Sequence, residues 1–469
     1  MKYEEALQAV GGYEHRPYQL KLLLMCCVAN YVSGFVMTAF PFLAYAPSYI
    51  CKVGQVWESC SVACNLPPND WSFSPLSFRS LTQEYEFLCS RAWFLSCAAF
   101  LQMLGGLIGT YLCSRLLDLI GRRPAMLFAT LLTLLSLGIV NFAHSDLGLM
   151  AGFLMLGSGA GPLSIISKAY LIESIGPQRS LYTQIATIAF ALGRASNVVI
   201  ALCTQQWRPL IHYIALVTVA LYFLCKSLYE SPKYTLLYQN NVKSTVQILS
   251  QVRVYNAFQD GRPLRLENPA FAPFSPSLLL RRYRGKILAQ CVHYFISGCG
   301  YFLIIFSQRE VIGDLYWLGL GLAGTEVVSG VAAAYIADKY GRKLVYFTHF
   351  PLMGVACGLM TMIPSNSQCF PYLNMLAAYA ISTCGAMPSL LAGELFPTVI
   401  RGWAGSISSL CLRIGGLMAP VVLVFCQSAG LQPMAFLAVL SLVGLAVLPL
   451  LPETRGKEVN EEETAKLTV

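Results

Sequence analysis

The sequence predicts an all-α integral membrane protein whose twelve transmembrane helices form two pseudo-symmetric six-helix bundles. Three observations carry that expectation: the hydropathy of the chain, the alternation of its basic loops, and a set of charged motifs repeated at one offset. The 469 residues are 56% hydrophobic and 12% charged, about half the charge of an ordinary soluble domain. The charges gather in short clusters between apolar stretches of roughly 20 residues, each long enough as a helix to cross a hydrocarbon core of roughly 30 Å. A soluble helical protein interrupts its apolar runs at helical period, and this chain rarely does so.

In chain order, residues 1–19 form a charged, amphipathic cytoplasmic segment (Tyr3 to Arg16). It lacks the short apolar core and small-residue cleavage site of a secretory signal peptide, so the first span is expected to stay in the mature protein. Spans fall near 20–43, 92–113, 124–143, 147–172, 181–204 and 208–228, giving an N-terminal bundle over 20–228 with an outer loop at 47–91. A polar cytoplasmic linker covers 229–285. Spans near 286–306, 316–337, 344–363, 370–393, 403–427 and 431–451 make a C-terminal bundle over 286–451, followed by a cytoplasmic tail, 452–469.

The net charge of +9 is no nucleic-acid footprint, because the basic residues collect in alternate loops as the positive-inside rule requires. Arg115, Arg122, Arg123, Arg179, the run from Lys226 to Lys286, Lys339, Arg342, Lys343 and Arg401 share one side. Both termini are therefore assigned to the cytoplasm, with the plasma membrane the first choice of location and an internal membrane the second. Most of the 17 cysteines lie inside spans, where a small apolar thiol needs no special role. Cys51, Cys60, Cys64 and Cys89 belong to the outer loop. They read either as two disulfides with three possible pairings or as four free thiols.

Motifs repeat across the two halves. Asp118-Leu119-Ile120-Gly121-Arg122-Arg123 returns as Asp338-Lys339-Tyr340-Gly341-Arg342-Lys343, 220 positions later. Glu173 with Arg179 has its counterpart in Glu394 with Arg401. Glu230-Ser231-Pro232 is echoed by Pro452-Glu453-Thr454-Arg455-Gly456. Three pairs at nearly one offset indicate a duplicated six-helix unit. Gly121 and Gly341 permit tight turns at the membrane surface. Asp118 and Asp338 can accept from a neighbouring helix N-terminus or pair with nearby arginines. Glu173, Arg179, Glu394 and Arg401 can form a ring of ion pairs that latches one conformation. All of these are gating candidates.

The same residues, with Trp207-Arg208 and Glu394-Leu395-Phe396-Pro397-Thr398, resemble the organic cation and anion transporter family of the major facilitator superfamily over nearly the whole chain. The resemblance implies two halves related by an axis along the membrane normal, a substrate site near the midplane between them, and alternating access. The sequence departs from the family at Ser114 and Ala334, where glycines are usual, and in the closer spacing of Glu173 and Arg179. The outer loop is short for the family and contains no glycosylation sequon.

Substrate-binding candidates are the charges inside spans. Lys168, Arg194, Glu326 and Arg413 would each cost about 2.5–3.5 kcal/mol at the bilayer centre, so each is expected to face a cavity or a partner. Gly157, Gly161, Ser164 and Lys168 share one helix face, as do Thr187, Arg194 and Asn197. Three cations against one carboxylate favour an anionic ligand. Within Leu412-Arg413-Ile414-Gly415-Gly416, the resemblance points the same way: anion-carrying members have arginine at the Arg413 position and cation carriers have aspartate. Gly330 stands where anion carriers often have a lysine. Structural alternatives are an Arg413–Glu326 ion pair, an Arg194 turned toward Glu173 and Arg179, and a Lys168 that snorkels to the interface. His293, Tyr294 and Tyr301 with Asn30 can wall a cavity for bulky, partly apolar ligands, although a lone buried histidine is more often a core residue.

No phosphate loop, metal-ligand cluster or nucleophile elbow is present, so no enzyme, cofactor or metal is expected. The reading is therefore a secondary-active or facilitative transporter of small organic anions, partnered by its substrate and the bilayer. Two alternatives stand beside it: a carrier of organic cations or zwitterions, and a transporter-like accessory subunit with membrane-protein complex partners.

Overall fold

The computed structural model describes residues 3–454 apart from 46–48, 54–55, 61–70, 75–77, 176–178, 259–263, 265, 267–275, 308–314, 365–366 and 397. Helix α1 (Tyr3–Gln8) precedes the first crossing, made by α2 (Pro17–Thr38) and the short α3 (Phe40–Leu43). The outer segment holds strands β1 (Tyr49–Val53), β2 (Val56–Cys60) and β3 (Trp71–Phe73), then α4 (Leu81–Glu84). These strands form an antiparallel sheet in the order β2-β1-β3, with Tyr49 opposite Cys60 on one side and Phe73 on the other. The first bundle continues with α5 (Trp93–Ile120), α6 (Arg122–Phe142), α7 (Asp146–Glu173), α8 (Arg179–Thr204) and α9 (Arg208–Lys226). Short helices α10 (Pro232–Leu237) and α11 (Val242–Tyr255) follow. The second bundle comprises α12 (Pro276–Ser307), α13 (Leu315–Tyr340), α14 (Arg342–Met362), α15 (Phe370–Leu395), α16 (Thr398–Ser428) and α17 (Pro433–Val447).

Among the described residues, 11 helical segments are long and apolar enough to cross a membrane. The 26-residue α15 occupies the place of the remaining expected span. Two helices overrun their hydropathy limits: α5 continues to Ile120, and α12 begins at Pro276. Charged residues end an apolar window, but they do not end the backbone hydrogen-bond ladder, so these helices project beyond the apolar layer. The sheet after the first span is an addition to the expected all-helical plan.

Small residues set the tightest helix contacts. A side-chain carbon on Gly157 of α7 would stand 1.9 Å from the Gln102 carbonyl oxygen of α5. The outer segment is tied to the first bundle. Trp207 Nε1 donates to Glu84 Oε2 at 2.8 Å, Arg208 pairs with Glu84, and Arg91 pairs with Asp146 at 2.7 Å. Cys51 and Cys89 are not among the free cysteines. The side chain of Cys60 and all of Cys64 lie outside the described residues.

The bundles meet on the face away from the termini. Phe40 of α3 packs edge-on against Phe306 of α12, with ring centroids 5.5 Å apart. Phe42 stacks on Tyr316 at 6.4 Å, and the Tyr316 hydroxyl donates to Gln205 at 2.8 Å.

Candidate functional site

Four intramembrane charges approach one another where the bundles face. Arg194 of α8 and Glu326 of α13 form an ion pair across the two halves, 3.6 Å apart and with both side chains largely buried. The Tyr301 hydroxyl of α12 donates to both Glu326 oxygens at 3.2 Å. Arg194 also stands 5.7 Å over the Tyr301 ring, a cation–π geometry. Lys168 Nζ donates to Thr187 Oγ1 at 3.3 Å and lies within electrostatic reach of Arg413 and Glu326. Arg413 Nη2 reaches across the halves to the Gly161 carbonyl at 2.6 Å.

Glu326 therefore pairs with Arg194, while the described contact of Arg413 is a backbone carbonyl. Arg194 does not turn toward Glu173. Two guanidinium nitrogens, Arg194 Nη2 and Arg413 Nε, are buried with no acceptor among the described residues. A buried charged donor without a partner is costly.

The other candidates separate into two groups. Asn30 Nδ2 donates to the Cys26 carbonyl at 2.7 Å and to Ser167 Oγ, on the residue before Lys168, at 3.3 Å. Its Oδ1 is buried without a partner. Tyr294 is buried on α12. His293 belongs to the interior of the second bundle. Its Nε2 meets the Gly444 carbonyl of α17 at 3.0 Å, and its ring stacks on Tyr346 at 4.4 Å and Phe350 at 5.3 Å. A fully buried ring held by a backbone carbonyl and two aromatics is the core role, and it removes His293 from the charged cluster.

The terminal face carries two matching helix caps. Glu230 accepts from Arg122 N at 2.9 Å and Arg123 N at 3.2 Å, so its carboxylate caps the start of α6. Glu453 accepts from Arg342 N and Lys343 N, both at 3.0 Å, and caps α14 in the same way. Negative charge at a helix N-terminus is favourable. Burial pushes the Glu230 carboxyl up, against the lowering pull of the Ser231, Arg123 and Arg122 amides. Of the two roles open to Asp118 and Asp338 in the sequence, capping a neighbouring helix or pairing with a nearby arginine, the structure shows the second: they pair one turn along with Arg122 at 3.7 Å and Arg342 at 3.6 Å.

Glu173 is held by Arg122, whose Nη2 is 2.7 Å from Oε1 and whose Nε donates to both carboxylate oxygens. Ser231 Oγ donates to the same carboxylate at 2.6 Å. Tyr234 and Tyr238 flank the Arg122 guanidinium, each 4.9 Å away. Motif repetition marked Arg122 but not these two rings, because aromatic residues in a surface helix carry no sequence mark of their own. The side chains of Arg179, Glu394 and Arg401, and all of Arg455, lie outside the described residues.

A cavity of about 960 Å³ opens elsewhere, between α5 and α16 on the side away from the termini. Its walls include Trp93, Phe100, Val424 and Phe425, and none of the four charges. It is separate from the charged cluster.

Comparison with known proteins bears on the family and the fold. Human solute carrier family 22 member 13 is 23% identical over 98% of this chain and 92% of its own length. The Drosophila melanogaster β-alanine transporter is 25% identical over 83% of this chain and 67% of its own. Bovine solute carrier family 22 member 1 is 28% identical over 81% and 69%. Among solved structures, the inward-open xylose transporter XylE from E. coli matches 96% of this chain and 100% of its own with a TM-score of 0.67 at 15% identity. The sugar (and other) transporter family matches residues 74–465. With its long apolar helices in two related bundles, charges where the bundles meet and a match over most of its length, the chain belongs to the sugar (and other) transporter family of the major facilitator superfamily and is a transporter, not an enzyme.

Proposed function

We propose that the chain carries small organic anions by alternating access, either down their own gradient or coupled to another solute. The observation that supports this most directly is the charge balance where the halves meet. Lys168, Arg194 and Arg413 face a single carboxylate, Glu326, and two guanidinium nitrogens there lack acceptors. A carboxylate or sulfate on a ligand supplies both the missing acceptor and the missing negative charge. Lys168 and Arg194 come from one half, Glu326 and Arg413 from the other, so ligand binding and the relative tilt of the halves are coupled. Tyr301 and Tyr294 supply aromatic wall, and Asn30 a polar edge. The helix caps at Glu230 and Glu453 hold the cytoplasmic ends of each half.

In this reading both termini are cytoplasmic, the plasma membrane is the host, and the halves comprise 20–228 and 286–451 with 229–285 as linker. Cys51, Cys60, Cys64 and Cys89 close the outer loop as two disulfides. A zwitterion is the second reading, favoured by Glu326 beside the cations and by the likeness to a β-alanine transporter.

The test is uptake of labelled organic anions, cations and zwitterions into liposomes reconstituted with the purified protein. Saturable anion uptake above empty liposomes is expected. Cation uptake without anion uptake overturns the reading, and selective uptake of zwitterions moves it to the second.

A further inference from the structure

Helices α14 and α17 pack closely in the middle of the second bundle and part toward the terminal face. A side-chain carbon on Gly354 of α14 would stand 2.4 Å from Ser441 Oγ of α17, and one on Gly444 of α17 would stand 2.8 Å from the Phe350 ring. A turn further along, α17 stops at Val447 and gives way to a single 3-10 turn, Leu448–Leu450. Pro449 accounts for the stop, because its ring clashes with the carbonyl four residues back and it has no N–H to continue the ladder. The gap left behind is a groove of about 550 Å³, walled by Leu344 and Phe347 on one side and by Leu445 and Pro449 on the other, with Lys343 and Glu453 also in its lining. Both helices are long and apolar enough to cross a membrane, over Arg342–Met362 and Pro433–Leu450. The groove therefore lies where hydrocarbon gives way to water. Phe347 is 64% exposed and Tyr340, which also lines the groove, 54%. Aromatic rings left uncovered at that depth meet lipid.

The rim of the groove is positive. Arg342 pairs with Asp338 at 3.6 Å. The Glu453 carboxylate is taken up by the amides of Arg342, Lys343 and Thr454, each at 3.0 Å. Lys339 lies 5.2 Å from the Tyr340 ring centre and donates to the Tyr335 hydroxyl at 2.9 Å. Among the described residues the Lys343 ammonium has no acceptor. Its counterpart in the first bundle, Arg123, is already engaged: its Nη2 donates to the Lys226 carbonyl at 2.7 Å. The internal repeat is thus broken at this position, leaving one cation free beside an apolar groove.

We propose that this groove binds one anionic phospholipid of the bilayer, with the headgroup phosphate on Lys343 and an acyl chain along Leu344, Phe347 and Leu445. A lysine at the end of a crossing helix reaches the headgroup level while its stem covers apolar surface. Basic pockets between such helices attract anionic lipids. The groove needs both parts of that ligand: free phosphate leaves its apolar walls uncovered, and a neutral apolar molecule leaves the Lys343 ammonium without an acceptor. The positive rim also disfavours the ammonium of a choline headgroup. Nothing in this inference depends on the nature of the transported ligand.

The full-length protein is reconstituted in phosphatidylcholine vesicles containing a trace of phosphatidylserine that carries a diazirine on its acyl chain. After illumination and digestion, mass spectrometry locates the labelled peptides. The expected result is label on the segments around Phe347 and Leu445, lost when unlabelled phosphatidylserine is added and unaffected by inorganic phosphate. Phosphatidylcholine carrying the same diazirine should show no enrichment there. Lys343→Gln should abolish the preference for phosphatidylserine and Lys343→Arg should keep it, both eluting as the wild type does on size exclusion. If Lys343→Gln disturbs folding, competition between the two lipids on the wild type decides. Equal labelling by the two lipids, a preference unchanged in folded Lys343→Gln, or displacement of the label by inorganic phosphate overturns the proposal.

Discussion

Gly121 and Gly341 adopt φ of 103° and 107°, and the carboxylates of Glu230 and Glu453 occupy the space a side chain would need, with Oε2 2.6 Å and 2.8 Å from an added carbon. With ψ of 173° and 161° this backbone is essentially glycine-only and costs another residue about 1–3 kcal/mol, and the displaced cap adds to that. Gly121→Ala should lower the melting temperature in detergent. Gly138→Ala, where no atom stands within 4 Å, should leave it unchanged. In the outer segment, burial opposes ionisation of Glu84, but Arg208 and Trp207 outweigh it and hold the carboxyl below the ordinary carboxylate range. A depressed folded-state value means the unfolded chain binds the proton more readily. The pair's contribution to stability is therefore present above the ordinary carboxylate pKa and is lost as pH falls through the folded-state value. Thermal unfolding across acidic pH should show that loss in the wild type, and a flatter profile in Glu84→Gln.

At this scale the sequence exposed which residues are costly but not whom they meet. The price of an intramembrane charge marks Arg194, Glu326 and Arg413 without structure. Partner choice depends on helix rotation and tilt, which spacing along one helix does not encode. Hence Glu326 meets Arg194, Glu173 meets Arg122, and His293 turns to Gly444.

Among elements, the contact of α8 with α13 through Arg194 and Glu326 is the ionic link between bundles with the most consequence. Removing one partner of a buried pair leaves the other uncompensated, at a cost of about 3–5 kcal/mol, whereas replacing both with apolar residues is often neutral. Arg194→Met and Glu326→Met should each lower thermal stability strongly, and the double variant should recover much of the loss. A double variant as unstable as the sum of the singles would show that the two side chains are not coupled. Element identity was legible because each crossing needs about 20 apolar residues. Element ends were less so, since α5 and α12 continue as helices through charged sequence. The strands Tyr49–Val53 and Val56–Cys60 lie in a segment where cysteines, charges and aromatics obscure any alternation.

For the whole molecule, the internal repeat made the pseudo-symmetry readable, and both helix caps follow it: Glu230 at the start of α6 and Glu453 at the start of α14. The contact between the bundles could not be read, because Phe40, Phe42, Phe306 and Tyr316 are far apart in the chain and look like ordinary apolar residues. If the halves rock about the charged cluster, Phe40 and Phe306 must separate once per cycle. Phe40→Cys with Phe306→Cys should therefore cross-link under oxidation and stop uptake, with reductant restoring it. Unchanged uptake by the cross-linked protein would rule out that motion.

The anion claim is tested most directly at Arg413. Reconstituted protein carrying Arg413→Asp should lose saturable uptake of organic anions while remaining folded and gain relative preference for organic cations, because the substitution reverses the charge that faces the ligand. Anion uptake with unaltered affinity and selectivity in that variant would contradict an anion held at this site.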